Sequence, residues 1–153
     1  MSCRPTGIVI AKVQVEDLLW IVQLEQESDL SSWGISGYER ELLNPQAVLL
    51  VAHDEISRSV VGFFSGHQVA DEFELLSIAV QDHSRHTGIG SALLLAGYHE
   101  IQSRCLNRCW LEVRSMNDPA IKLYEKFGFR AVGRRRNYYA KPPDDALVMR
   151  WEK

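Results

Sequence analysis

The chain has 153 residues, 46% hydrophobic and 24% charged, a balance that suits a folded globular protein and argues against disorder. A formal net charge of −3 supplies no basic field to recruit nucleic acid, and the run Arg134-Arg135-Arg136 is too short to change that. No apolar run reaches the roughly 20 residues that span a bilayer, and the opening MSCRPTG lacks the apolar stretch of a signal peptide, so a cytoplasmic protein with no membrane partner is expected.

Gly7 to Val13, GIVIAKV, is rich in β-branched residues and reads as a first strand. In EDLLWIVQLEQES, Leu18, Leu19, Val22 and Leu24 recur near helical spacing, leaving Glu16, Gln23 and Gln26 for solvent. Ser36 and Glu39 fit a capping box, which predicts a short helix from Gly37 to Leu43 that Pro45 ends. AVLLVAHD and SVVGFFSGHQVA are strands around the polar turn DEISRS, and EFELLSIAV is a mostly apolar strand of the kind buried on both faces. A helix follows from Gly88 to Arg104, then the strand RCWLEVRS with an acid at its centre. NDPAIKLYEKFGF is a helix: Asn117 or Asp118 caps it, Pro119 is tolerated in its first turn, and Gly128 stops it. RAVGRRRNYY and DALVMRWEK are closing strands joined by AKPPD.

The strand–helix–strand unit around Gly88 predicts a right-handed crossover between parallel strands. No repeat, low-complexity tract or linker divides the chain, so residues 1–153 read as one domain. Cys3, Cys105 and Cys109 are too few and too irregular for a disulfide framework, and no set of ligands accompanies them for a metal. His53, His67, His83, His86 and His99 also show no metal spacing.

The stretch SRHTGIGSALL places two glycines and a basic residue before a long helix. Helix starts offer unpaired N–H groups and the positive end of a dipole, and glycine lets that backbone approach a ligand, so a pyrophosphate suits the place. A plain tight turn is the alternative. The dinucleotide fingerprint fails because Leu93 stands where its third glycine should be, and a P-loop fails because no lysine follows Gly90.

LLSIAVQDHSRHTGIGSALL resembles the acetyl-CoA motif of the GNAT acetyltransferases, with Arg85-His86-Thr87-Gly88-Ile89-Gly90 matching the signature Arg/Gln-x-x-Gly-x-Gly/Ala. WLEVR, NDPAIKLYEKFGF, RRNYY and DALVM resemble the family's second half, in particular its RimI-type ribosomal-protein-alanine N-acetyltransferases. The resemblance implies an α/β fold (α+β by some schemes), a mixed, mostly antiparallel sheet with a parallel pair splayed around acetyl-CoA. The donor would lie on the backbone of Ile78, Ala79 and Val80 and on residues Arg85 to Ser91 (Arg85, His86, Thr87, Gly88, Ile89, Gly90, Ser91). The implied acceptor is a protein amino terminus, the alanine of a ribosomal protein, and no metal is needed.

Glu112 has apolar neighbours on both sides, so its side chain points to the face opposite theirs. The resemblance makes it the proton acceptor; otherwise it is a solvent-facing acid. Tyr124 is the implied proton donor or else a core aromatic among Ile121, Leu123 and Phe127. Asn117 contacts the donor or merely caps its helix. Tyr138 and Tyr139 frame the acceptor entrance or are ordinary strand aromatics. Glu25, Glu27 and Asp29 form an acidic rim or a solvated helix end; only Glu25 matches a family position. Trp33 is shared with the family, but the surrounding DLSSWGISGY lacks its Pro-Trp-Ser pattern, and the loop before DALVM is short. Both departures fall on the acceptor side. A non-catalytic acyl-CoA sensor is the alternative from another class, and it would not need both Glu112 and Tyr124. An acetyltransferase for a small-molecule amine is the rival among enzymes.

Overall fold

The computed structural model describes residues 5–28 and 33–153. Its strands are β1 (Ile8–Lys12), β2 (Ala47–Asp54), β3 (Val60–Val69), β4 (Glu72–Val80), β5 (Arg108–Arg114), β6 (Arg130–Ala140) and β7 (Pro143–Glu152). Its helices are α1 (Leu18–Glu27), α2 (Gly34–Leu42), α3 (Ile89–Ser103) and α4 (Asp118–Lys126). The strands form one seven-stranded sheet in the order β1-β2-β3-β4-β5-β7-β6. Neighbours are antiparallel except β4 and β5, which are parallel and joined through α3.

Alternation along the strands divides the core in two. Phe64 points to one face, where it meets Leu93 and Leu94 of α3 together with Phe73 and Leu75. Phe63 points to the other, against Leu18, Ile21 and Leu24 of α1 and Tyr38 of α2. Full burial of side chains this size stabilises the fold by roughly 1.5–3 kcal/mol each. At Gly97 of α3, an added Cβ would fall 2.4 Å from the Phe64 ring, so only glycine allows helix and sheet to approach this closely.

The feature that creates a site is the short pairing of β4 with β5. Only Phe73–Cys109, Glu74–Trp110 and Leu75–Leu111 are in register. Immediately beyond, Ser65 pairs with Ser77 and Gly66 with Leu75, so Leu76 is an extra residue that bends β4. β4 stays with β3 as far as Val80, and β5 stays with β7 as far as Arg114. The two strands therefore part and leave a notch in the middle of the sheet.

Several expectations needed revision. α2 begins at Gly34, with Trp33 as its N-cap and no side-chain cap bond, so the Ser36–Glu39 capping box does not form. Gly34, at φ 66°, turns the chain into the helix three residues sooner. Leu19 is exposed, and Ile21 takes its place on the buried stripe. β4 is not buried on both faces throughout: Phe73 and Leu75 are buried while Glu74 between them is exposed. The connection AKPPD shrinks to Lys141-Pro142, because β6 and β7 extend into a tight hairpin. Cys109 is buried, which pushes its thiol up to about 12, and Cys105 is a free exposed thiol; Cys3 lies outside the described residues. Among the described residues no helix is long and apolar enough to cross a membrane, and no three His, Cys, Asp or Glu side chains gather as metal ligands.

Candidate active site

The free edge of β4, the loop after it and the first turn of α3 wall a groove of about 370 Å³. Every residue expected on the donor side lines it except Thr87, whose hydroxyl instead donates to the Ser84 carbonyl at 2.6 Å. His86 (φ 62°) and Gly88 (φ 89°) both adopt left-handed conformations. The N–H groups of residues 86–91 find no hydrogen-bond partner among the described residues, and Ala92 is the first to bond back, to the Gly88 carbonyl at 3.0 Å. Residues 85–88 are exposed, so these donors are open to water or to a ligand that enters the groove. A pyrophosphate fits this cradle by charge and by donor count. Arg85 braces the loop, donating through Nε to the Val80 carbonyl at 3.1 Å and pairing with Asp82 at 3.1 Å.

A second cleft, of about 610 Å³, opens on the other side of the notch. It is lined by Trp33, Glu112, Tyr124, Tyr138 and Tyr139, and it shares Ile78, Asn117, Ala120 and Tyr124 with the donor groove. Tyr124 therefore stands at the junction. Its ring is buried and packs edge-on against Phe129 at 5.8 Å, while its hydroxyl makes no hydrogen bond among the described residues. Tyr124 is thus a core aromatic that also lines both clefts. Burial holds its pKa well above the ordinary phenol range, helped by the neighbouring Cys109 and Tyr139. Asn117 likewise does two things: its Oδ1 accepts from the Ala120 N–H at 3.3 Å as an N-cap, and it lines both clefts.

Glu112 lies across the alternation of β5 from buried Leu111 and Val113, as the sequence predicts. Its Oε1 meets Arg135 Nε at 3.2 Å. Hydrogen bonding to this carboxylate, then burial, holds the Tyr138 phenol above its ordinary pKa. From Glu112 and Glu74 a further recess of about 310 Å³ runs out across Phe73, Trp110 and Val148.

Several residues here escaped the sequence reading. Arg135 belongs to the run Arg134-Arg135-Arg136, and its side-chain ion pair with Glu112, reached across β7, gives it a place. The Arg114 guanidinium lies 4.2 Å from the Tyr139 ring centroid and donates to the carbonyls of Pro142 (2.8 Å) and Lys141 (3.0 Å). Asp144 accepts from the Ser115 hydroxyl and the Met116 N–H. Together they lock the β6–β7 hairpin tip over the cleft.

Glu25 is a correction. It does not form an entrance rim: it is 1% exposed, lines neither cleft, and its Oε1 accepts from the Trp33 N–H at 3.1 Å and the Tyr38 hydroxyl at 2.9 Å. Its role is to hold the start of α2, and with it Trp33. Spacing carried the signal, since Leu18, Ile21 and Glu25 fall on one helical stripe. Glu27 is exposed and accepts from Gln23 at 3.1 Å; Asp29 lies outside the described residues.

Comparison with known proteins agrees with this geometry. The acetyltransferase (GNAT) family pattern matches residues 14–129. The [ribosomal protein bS18]-alanine N-acetyltransferase of Salmonella typhimurium is 33% identical over 147 residues, covering 92% of this chain and 94% of its own. The Escherichia coli K12 protein of the same name is 32% identical over 143 residues, covering 92% and 94%. The crystal structure of the E. coli ribosomal-protein-S18-alanine N-acetyltransferase superposes with a TM-score of 0.83 at 28% identity, covering 95% of this chain and 93% of that one. A seven-stranded sheet parted around a notch, a glycine-turned helix start and near-full-length similarity converge: the chain belongs to the GNAT family, as an acetyl-CoA-dependent N-acetyltransferase.

Proposed function

We propose that this chain acts as a single domain that acetylates the α-amino group of a protein amino terminus, the alanine of a ribosomal protein corresponding to bS18, with Glu112 as proton acceptor and Tyr124 as proton donor. The observation that carries the reading is the junction at Tyr124: one cleft presents free N–H donors, the other presents Glu112, and both reach the same phenol. The N–H groups of residues 86–91 would hold the pyrophosphate of acetyl-CoA, and the free edge of β4 its pantetheine arm. Acetyl-CoA supplies the activated acyl group.

The ammonium first loses one proton to solvent; attack by the neutral amine then forms a C–N bond and breaks a C–S bond, so one proton must leave the nitrogen and one must reach the thiolate. Glu112 takes the proton that leaves the nitrogen on attack, directly or through a water. Tyr124 gives the one that reaches the thiolate. A phenol raised by burial is a reluctant acid, but the same burial raises the proton affinity of the thiolate beside it. An α-amino group titrates near 8 and a lysine near 10.4, so deprotonating the lysine costs about 3 kcal/mol more. A single carboxylate is therefore better matched to a chain terminus than to a lysine. The recess beyond Glu112 and Glu74 gives the rest of a peptide somewhere to run, which a small amine would leave empty.

The test is acetyl transfer to an alanine-starting peptide, a lysine peptide with blocked terminus, and a polyamine. The alanine peptide should win by kcat/KM. Glu112→Gln and Tyr124→Phe should each lower kcat at least about tenfold with acetyl-CoA affinity kept within a few-fold. Faster turnover of the polyamine or the lysine peptide overturns the acceptor; wild-type rates in both variants overturn the acid–base roles and leave positioning alone.

A further inference from the structure

Tyr138 and Tyr139 are consecutive residues of a strand, yet both line the acceptor cleft. In a regular strand, neighbours point to opposite faces. Likewise Arg135, three residues before Tyr138, meets Glu112 at 3.2 Å and lies 5.8 Å from the Tyr138 ring centroid, and Tyr138 lines the same cleft as Glu112. The reason is a break in register. Arg135 pairs with Ala146 and Tyr139 with Asp144, so Arg136, Asn137 and Tyr138 stand opposite the single residue Asp145. Asn137 takes a left-handed φ of 52°, which turns the strand over at this point.

Asp145 is what the bulge is built on. Its Oδ1 accepts the Asn137 N–H at 2.9 Å, and its Oδ2 pairs with Arg134 Nη1 at 3.0 Å. Its own backbone is fixed as well: its N–H donates to Asp144 Oδ1 at 2.7 Å, and its carbonyl accepts from the Ser115 N–H at 2.9 Å. The carboxylate thus receives the N–H that the bulge removes from the ladder. The Asn137 N–H, followed by Arg134, also holds Asp145 below the usual carboxylate range.

We propose that Asp145 is a positioning residue for acetyl transfer: by holding the Arg136–Tyr138 bulge it turns Tyr138 into the cleft that Glu112 also lines, and so fixes the wall that meets the acceptor. It touches neither acceptor nor donor and acts through Tyr138. The inference rests on the reading above that the acceptor enters past Tyr138.

The test is a double-variant cycle on Asp145→Ala and Tyr138→Ala, read as kcat/KM for the alanine peptide and as acetyl-CoA affinity by calorimetry. Asp145→Ala should lower acceptor kcat/KM about fivefold to tenfold, the scale of one lost positioning hydrogen bond, mainly through KM. Acetyl-CoA affinity should stay within about twofold, which general unfolding would not allow. Asp145→Asn keeps an acceptor for the Asn137 N–H and should recover most of the loss; if the alanine variant does not fold, Asp145→Ser, too short to reach the Asn137 N–H, takes its place in the cycle. Asp145→Ala should cost nothing further once Tyr138 is alanine. Additive losses, or an Asp145→Ala or Asp145→Asn enzyme that loses acetyl-CoA affinity in step with acceptor kcat/KM, overturn the inference. An unchanged kcat/KM in Asp145→Ala does so too. If the wild type prefers another amine, the acceptor reading fails and the same cycle is read with that amine.

Discussion

Glu25 is a carboxylate on the apolar stripe of a helix, held there by a phenol and a backbone N–H. Burying a charge costs several kcal/mol unless it is hydrogen-bonded, so its partners matter more than their number suggests. Burial, then the Glu25 charge, in turn drives the Tyr38 pKa far above the ordinary range, because the phenolate would face a carboxylate in the core. Tyr38→Phe keeps the ring against Phe63 but strips Glu25 of one donor. The expected loss is about 1–3 kcal/mol, which at about 2–4 °C per kcal/mol is readable as Tm. Acetyl-CoA affinity should not follow, since Tyr38 lines neither cleft. The spacing of Glu25 from Leu18 and Ile21 marks it as buried, against the acidic rim or solvated helix end expected of it, and its partners carried no local signal: Trp33 and Tyr38 lie 8 and 13 residues away.

Elements whose ends carry local chemistry were legible. Asn117, Pro119 and Gly128 bracket α4 as expected, and Gly88 opens α3. The start of α2 was not, because a tertiary bond from Trp33 to Glu25 decides it over the local Ser36–Glu39 pattern. The β6 bulge was hidden for a related reason. It exists only in the pairing of two strands, and no residue within RRNYY announces that Asp145 will oppose three of its neighbours. In the donor groove, Gly88 makes the most local prediction. A Cβ there would meet only Pro5 Cγ at 3.6 Å, so crowding within the protein is not the issue. The φ of 89° is: a β-branched residue resists it by roughly 1–2 kcal/mol, and would swing the N–H groups of residues 86–91 out of line. Gly88→Val should therefore weaken acetyl-CoA binding at least about tenfold, since charge-assisted bonds to phosphate are worth about 1.5–3 kcal/mol each. Calorimetric titration with unchanged affinity would remove the loop from the donor site.

Across the molecule, buried and paired groups set limits on both sides of neutral pH. Asp144 and Asp145 are held low by Ser115 and the Asn137 N–H, and Glu152 by Arg108. Their stabilisation is present above the unfolded carboxylate values near 4 and is lost as pH falls through the lowered native ones. Tyr38 and Tyr124 are raised by burial, so their share is complete below the unfolded phenol value near 10 and is lost as pH rises beyond it. Tm should be flat from about pH 5 to 8 and fall on each side, the alkaline fall beginning with the buried Cys109 thiol, and Tyr38→Phe should lessen that fall while leaving the acid one unchanged. A Tm that keeps its alkaline slope in that variant would assign the slope elsewhere. The parted strands β4 and β5 have one more consequence. Much of the groove they open is made of peptide groups, and a peptide group is the same whichever codon specified its side chain. On the proposed reading of this groove as the acetyl-donor site, donor recognition is insulated from mutational drift so long as the turn at Gly88 survives. The opposite wall is phenols, a carboxylate and guanidinium groups, each replaceable by a base change. A lineage carrying this fold can sample new amines without forfeiting its source of acetyl groups.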